Sequence, residues 1–159
     1  MIVLQEAQAA DREKLWSIFQ KYFYEMSAYY DMDMDAHGNY PYKYFDSYFE
    51  DGERTALFIH HDEILIGFAM INDHSCLGNS VDHAMAEFTI FPKYRERHLG
   101  MEAIRKIFAQ YRGRWEIKYS NENKPARMFW TRTTREYRPV LSSHEGTESV
   151  LSFVVDGSR

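Results

Sequence analysis

Apolar side chains fall at Leu15, Ile18, Phe19, Tyr22, Phe23 and Met26, a spacing of three and four that lays one stripe along a helix. Asp11 stands before that stripe as a candidate cap. A shorter helix is expected over residues 42–49. The period then changes. Thr55–His60 and Ile64–Ile71 are apolar runs joined by His61-Asp62-Glu63, which reads as two strands and a hairpin turn. A further strand is expected over 85–91. Leu99, Ala103, Ile104, Ile107, Phe108 and Tyr111 then restore the helical spacing over 99–111. Trp115, Ile117 and Tyr119 alternate with Glu116 and Lys118 as a strand over 115–119. A helix is expected over 124–136. Leu141 and the run Val150–Val155 suggest a closing pair of strands, and Ile2-Val3-Leu4 a short first one. The order β-α-α-β-β-β-α-β-α-β-β predicts an α/β class, with a mixed sheet and helices on both faces.

Composition narrows the function classes. The chain has 159 residues, 45% of them hydrophobic and 16% aromatic, enough for one well-packed domain spanning 1–159. No linker, repeat or low-complexity tract interrupts it. No apolar run approaches the ~20 residues that a bilayer-spanning helix needs, so no membrane partner is expected. The first residues lack a basic region followed by an apolar stretch, so no secretory signal is read there. Net charge is −5, a poor balance for a nucleic-acid binder, because phosphate neutralisation supplies most of that affinity. Cys76 is the single cysteine, which excludes an internal disulfide and fits a reducing cytoplasm. It reads as a packing or surface residue.

Against the acidic total, Lys93, Arg95, Arg97, Arg105 and Lys106 form a local basic group. Arg105 and Lys106 suit a solvated helix face. The tight group over 93–98 suits a small polyanion better. It lies between the strand ending Ala86-Glu87-Phe88-Thr89-Ile90-Phe91 and the helix opening at Leu99. The first turn of a helix offers unpaired N–H groups and the positive end of the macrodipole, so a pyrophosphate is expected there. Arg95 and Arg97 would neutralise it.

Arg95-Glu96-Arg97-His98-Leu99-Gly100, followed later by Asn123, Ala126, Phe129 and Trp130, resembles the motifs of the GNAT superfamily of acyl-coenzyme A-dependent N-acyltransferases. The former is similar to Arg/Gln-x-x-Gly-x-Gly/Ala, the latter to Asn-x-x-Ala-x-x-apolar-Tyr. Tyr22-Phe23-Tyr24-Glu25-Met26-Ser27 resembles a Tyr-x-Tyr-Asp/Glu-x-Ser pattern of a bacterial branch of the superfamily. The resemblance covers nearly the whole chain. It implies the GNAT fold, a mixed and mostly antiparallel sheet in which two parallel strands splay apart. It also implies acetyl-CoA as cofactor, no metal, and transfer of the acetyl group to a primary amine by direct attack in a ternary complex. Relatives often dimerise, so a homodimer is expected through an edge of the closing strands.

By position the splayed strands are 85–91 and 115–119, and the backbone at Phe88 and Ile90 would pair with the cofactor. Residues 95–100 would hold its phosphates. Two departures stand out. His98 occupies the place of the first Gly of the motif, whose use is positive φ and close backbone approach; His tolerates left-handed backbone better than most residues. Trp130 stands where many relatives have the Tyr that protonates the leaving thiolate, and an indole is a donor only. Tyr119, Tyr137 or solvent is left to do that work. Trp130 then packs against the cofactor arm or in the core. Asn123 caps its helix, touches the cofactor, or both. Glu87 is the candidate general base, directly or through a water, against the plainer use of a strand Glu that points to solvent or pairs with a Lys. The departures also motivate a second expectation, a GNAT-fold module that binds acyl-CoA with little turnover. A third is a protein acetylase acting on lysines or N-termini.

Three further features carry weaker readings. Asp31-x-Asp33-x-Asp35 fails as a calcium loop, because Ala36 and Tyr42 stand where Gly and Glu are needed. It reads as a solvated loop, or as a patch that attracts a cationic amine. His60-His61 puts two rings on opposite faces of a strand, a poor metal pair. Tyr40, Tyr42 and Tyr44 read as ring burial or as a stacking surface for substrate.

Overall fold

The structure, a computed structural model, is described for residues 1–156. Seven strands form one sheet: β1 (Ile2–Glu6), β2 (Thr55–His61), β3 (Ile64–Asn72), β4 (His83–Ile90), β5 (Gly113–Ser120), β6 (Val140–His144) and β7 (Glu148–Val155). Four helices accompany them: α1 (Arg12–Met26), α2 (Ser47–Glu50), α3 (Leu99–Gln110) and α4 (Lys124–Thr134). The strand order is β1-β2-β3-β4-β5-β7-β6. Every neighbouring pair is antiparallel except β4 and β5, which are parallel. The mixed sheet, the element order and the single parallel pair agree with the expectation from the sequence. The hairpin through Asp62 and Glu63 forms as expected, with both residues at positive φ.

Element ends differ by a few residues, and one helix shrinks. Over 42–49 the chain makes turns before a single helical turn at Ser47–Glu50. Tyr42 and Phe45 are there to insert rings beneath α1, and that docking decides the backbone, not a repeating stripe. Asp11 precedes α1, but its carboxylate accepts from the Gln8 N–H at 2.9 Å, closing the turn before the helix and not its first turn.

The period-2 pattern of the strands sorts the core into two layers. Leu57, Ile59, Trp115, Ile117, Leu151 and Phe153 pack with α3 and α4 on one face. Ala56, Phe58, Phe68 and Met70 pack with α1 and the segment around α2 on the other. Residues directly opposite one another in a ladder share a face. Glu87 is opposite Met70, so it belongs to the α1 face. Phe88 packs on the α3–α4 side.

The β4–β5 ladder is short: His83, Ala84 and Met85 pair with Trp115, Glu116 and Ile117, and pairing then stops. On its other side β4 carries a bulge. Glu87 is opposite Met70 and Met85 is opposite Ile71, which leaves Ala86 as the extra residue. A bulge bends its strand and re-aims the side chains beyond it. Here it sits where β4 and β5 part. Gly67 holds the parting strand close to β3, since a Cβ there would lie 2.1 Å from the Thr89 carbonyl oxygen.

Candidate functional site

The gap between β4 and β5 opens into a cleft of about 1300 Å³. Both strands, the end of α1, the turn before α3 and the start of α4 contribute to its walls. Its two halves differ in chemistry because the two sheet faces differ.

On the α1 face the central group is Glu87. Its carboxylate accepts from the Tyr22 hydroxyl at 3.0 Å, and Tyr42 is its second hydroxyl donor. Tyr42 in turn meets the Tyr48 hydroxyl, to which the Asn72 amide donates at 3.1 Å. Removal from water outweighs these donors and pushes the Glu87 carboxyl up to about 7. Glu87 keeps part of its surface open to the cleft. Burial also raises both tyrosines well above their usual range, so they remain protonated donors.

This raised value has a sign. The unfolded carboxyl loses its proton near 4.5, the folded one near 7, so stability falls as pH rises between the two. The cost above pH 7 is on the order of 3 kcal/mol. Glu87→Gln removes it. We expect the variant to gain stability relative to wild type between pH 4 and pH 8, read from urea midpoints at each pH. A difference that stays constant with pH would show that Glu87 ionises as it does in water.

On the opposite face Phe88 stacks on Phe129, with ring centroids 5.5 Å apart, and both meet Trp130 edge-on. Trp130 is buried and lines the cleft. Tyr119 is buried beside the same space, and its hydroxyl has no hydrogen-bond partner among the described residues. Tyr137 lies elsewhere, stacked on Phe153 and edge-on to Phe108. It does not line the cleft, which removes it as the substitute for the missing Tyr.

The edge of β4 facing the gap has no strand partner beyond Met85. Phe91 donates its N–H toward β3, to the Ile66 carbonyl, so Ile90 and Phe88 direct their backbone groups the other way. The Ile90 carbonyl is taken by Arg95 Nε at 2.7 Å. The N–H of Ile90 and both polar groups of Phe88 remain on the open edge.

At the turn before α3, Glu96 and His98 both have positive φ, 62° and 60°. His98 is the residue that precedes the helix, with φ 60° and ψ 8°, and so takes the left-handed conformation expected of the Gly it stands for. Both residues line the cleft, as does Gly100. A Cβ on Gly100 would lie 2.9 Å from the Phe129 ring, so this glycine sets the approach of α3 to α4. Asn123 caps α4, accepting from the Ala126 N–H at 3.2 Å, while its amide meets the Met26 sulfur at 3.9 Å.

Several expectations are corrected. Arg95 is not a free cation: its guanidinium forks onto Glu25 with two contacts of 2.7 Å and holds that carboxyl below its usual range. It ties the end of α1 to the end of β4. Arg97 is exposed and Leu99 is a core residue; neither lines the cleft. The basic group is not one patch either, since Lys106 donates to the Ile2 carbonyl at the far end of α3. Asp31, Asp33 and Asp35 stay outside the cleft, and Asp35 instead accepts from the His37 and Asn39 N–H groups to close its own turn.

Other residues of the site had a weaker signal in the sequence. Glu116 accepts from Ser75 Oγ at 2.5 Å and from the Cys76 N–H at 2.8 Å. Cys76 lines the cleft, where burial and Glu116 push its thiol up to about 12, so it is no thiolate at neutral pH. Tyr30 donates to Glu148 at 3.3 Å, and Lys118 lies 3.6 Å from the same carboxylate. The alternation of Glu116 and Lys118 with apolar neighbours was the legible clue that one face of β5 is polar.

A model of the Acetyltransferase (GNAT) family matches residues 12–134. No curated protein matches the chain by sequence. Among solved structures, an acetyltransferase from Thermus thermophilus is similar at TM-score 0.68 and 15% identity, covering 97% of each chain. Arabidopsis thaliana NAA60, solved with acetyl-CoA, is similar at TM-score 0.61 and 15% identity, over 97% of this chain and 98% of that one. The diaminobutyrate acetyltransferase EctA from Paenibacillus lautus, solved with L-2,4-diaminobutyric acid and coenzyme A, is similar at TM-score 0.62 and 13% identity, over 97% and 95%. These likenesses show a shared fold, and the family match, which takes in the splayed strands, the turn before α3 and α4, shows that the chain belongs to the Acetyltransferase (GNAT) family.

Proposed function

We propose that this protein is an acetyl-CoA-dependent N-acetyltransferase that acts on a primary amine in the cleft between β4 and β5. The observation that carries the reading is the open edge of β4, with Glu87 on one face of the sheet and the aromatic wall on the other. The residues present fit the cofactor. An extended amide-bearing arm would pair with the Phe88 carbonyl and the Ile90 N–H, which leaves the Phe88 N–H for the thioester. Phosphates would be held by the backbone of Glu96, His98 and Gly100, where the left-handed turn delivers N–H groups at the start of a helix. The bound cosubstrate supplies an acetyl group as a thioester.

The chain's residues then divide the work. Glu87, ionised above about pH 7, takes a proton from the ammonium form of the acceptor, directly or through a water. The nitrogen attacks the thioester carbon, a C–N bond forms and the C–S bond breaks. The N–H of Phe88 donates to the carbonyl oxygen as negative charge develops there. The nitrogen gives up two protons in all: one leaves through Glu87 to water, the other goes to the departing sulfur, with Tyr119 as the donor at that point. Trp130 and Phe129 wall the site and keep water from the thioester.

One observation favours a second reading, a module that binds acyl-CoA with little turnover: the position of the family's usual proton donor carries Trp130. A screen of small amines and of peptide N-termini and lysines with acetyl-CoA separates the two. The enzyme reading expects thiol release well above hydrolysis and an amine product heavier by one acetyl group. Tight binding of coenzyme A with no product across the panel would establish the module. The same screen distinguishes a small-molecule acceptor from a protein one. A cytoplasmic location fits the single, unpaired cysteine. Val140 and Leu141, exposed on the edge strand β6, support a homodimer. Light scattering over micromolar concentrations checks this; a persistent 19.0 kDa species would contradict it.

A further inference from the structure

We infer that Tyr42, Tyr48 and Asn72 are positioning residues for the base: with the His74 backbone N–H behind them they form a one-way file of hydrogen bonds that points every proton at Glu87 and keeps its carboxylate ready to take one from the acceptor. This rests on the N-acetyltransferase reading above and adds how the site holds its base.

The direction of the file follows from its far end. A backbone N–H donates and never accepts. That of His74 donates to Asn72 Oδ1 at 3.0 Å. The amide oxygen is thus used, and Asn72 Nδ2 donates to the Tyr48 hydroxyl oxygen at 3.1 Å. Tyr48 is the buried residue of α2, 4% exposed, and does not line the cleft. Its own proton is left for its other partner, the Tyr42 hydroxyl oxygen. Tyr42 then has one proton to give, and it hydrogen-bonds to Glu87. His74, Asn72, Tyr48 and Tyr42 all donate in one direction, although they come from the end of β3, from α2 and from the turns before it.

Tyr22 is a contrast. Its hydroxyl donates to Glu87 at 3.0 Å, and no second hydrogen bond fixes it from behind among the described residues. Tyr22 can turn its proton aside and accept one. Tyr42 cannot without breaking the file. A proton gained by Glu87 therefore faces Tyr22 and the cleft, where acceptor and water have access, and not the α2 side.

Other charged and titratable groups around Glu87 are few. Lys118 of β5 favours the carboxylate, and Tyr30, beyond the end of α1, lies within its field. Met70, opposite on β3, is apolar. The His74 ring lies against Asp73. Glu116 of β5 accepts from Ser75 and Cys76, and Glu148 of β7 accepts from Tyr30 with Lys118 beside it. Burial, which pushes the Glu87 carboxyl up to about 7, is thus opposed by Tyr22, Tyr42 and Lys118. Without the file burial would win by more, and Glu87 would hold its proton at neutral pH.

Carboxyl carbon resonances of protein labelled at glutamate, with that of Glu87 identified by its loss in Glu87→Gln, give the titration of this group with no acceptor present. We expect Tyr42→Phe to raise the midpoint by roughly one pH unit and Tyr48→Phe by about half of that, because each removes donation to the charged form. With Tyr42→Phe already present, Tyr48→Phe should add nothing, since the file acts through the Tyr42 hydroxyl. The pH profile of kcat/KM should move by the same amounts. Each variant keeps its ring in the aromatic layer, and a purely structural role would lower the melting temperature without moving the midpoint. An unmoved midpoint, a downward shift, or single effects that add in the double variant would overturn the inference. The expected shifts in a protein that acetylates none of the amines or peptides of the screen would uphold the file and refute the enzyme reading. Turnover with a step near 7 that all three variants leave in place would do the reverse.

Discussion

Glu87→Gln is expected to lower kcat by roughly 10²–10⁴, the range that a positioned general base contributes. The substitution keeps shape and leaves an amide oxygen to accept from the Tyr22 hydroxyl, which now sits 3.0 Å from the carboxylate. What it removes is the proton acceptor. The size of the effect follows from the setting of Glu87. A carboxylate in water, near 4.5, is a weak base toward an ammonium group, and burial raises this one to about 7, where it is still ionised at neutral pH yet holds a proton usefully. Affinity for acetyl-CoA should stay within about twofold, because Phe88 and Ile90 are expected to meet it through backbone groups and the Glu87 side chain lies on the other face. Steady-state kinetics beside calorimetric titration of coenzyme A makes the test. A folded variant that binds the cofactor and retains kcat within about threefold of wild type would end the base assignment. Acetyl transfer would then rest on orientation and on the open edge of β4.

Phe19→Ala is expected to cost roughly 3–5 kcal/mol, the range for deleting a buried aromatic ring. Phe19 is 0% exposed. Its ring contacts those of Trp16, Tyr22, Phe23, Tyr42, Phe45 and Phe68. It thus pins α1 and the 42–45 turns onto β3 from the centre of the layer. Removing it leaves a cavity that six rings would have to fill by moving, and close-packed rings move little. At this chain length the melting temperature should fall by roughly 8–15 °C. Tyr22 and Tyr42 are both donors to Glu87, so their loosening should also depress kcat in the protein that remains folded. A calorimetric scan with a fall of less than about 3 °C would mean that this layer does not hold α1.

The strength of the periodic signal decided what was legible. The α1 stripe from Leu15 to Met26, the α3 stripe and the alternation over 115–119 all repeat several times, and each element appeared where expected. The His98 turn was legible because a helix start after an Arg-rich turn carries its own chemistry, and the residue adopts the backbone that the motif requires. The role of Arg95 is not legible in the sequence, which shows its charge and not its partner: Glu25 lies seventy positions away and meets it only once α1 crosses the end of β4. The bulge at Ala86 had no signal at all. Nothing in Ala84-Met85-Ala86-Glu87 announces an extra residue, yet that residue bends β4 where it leaves β5. Nothing in the sequence marks Glu116 or Glu148 as buried: Glu116 alternates with apolar neighbours, and Glu148 precedes the strand expected over 150–155. Pairing of β5 with β7, distant in sequence, buries them on one wall.

The pH dependence of kcat/KM tests the account most directly, because it reports the ionisations of the free enzyme and acceptor. For wild type the profile should rise through an apparent value near 7, the ionisation of Glu87 in its desolvated site. Glu87→Gln should lose that step and rise only where free amine becomes abundant, toward roughly pH 10 for an alkylamine like that of lysine. A step near 7 that persists unchanged in the variant, or a wild-type profile without one, would contradict catalysis by this carboxylate.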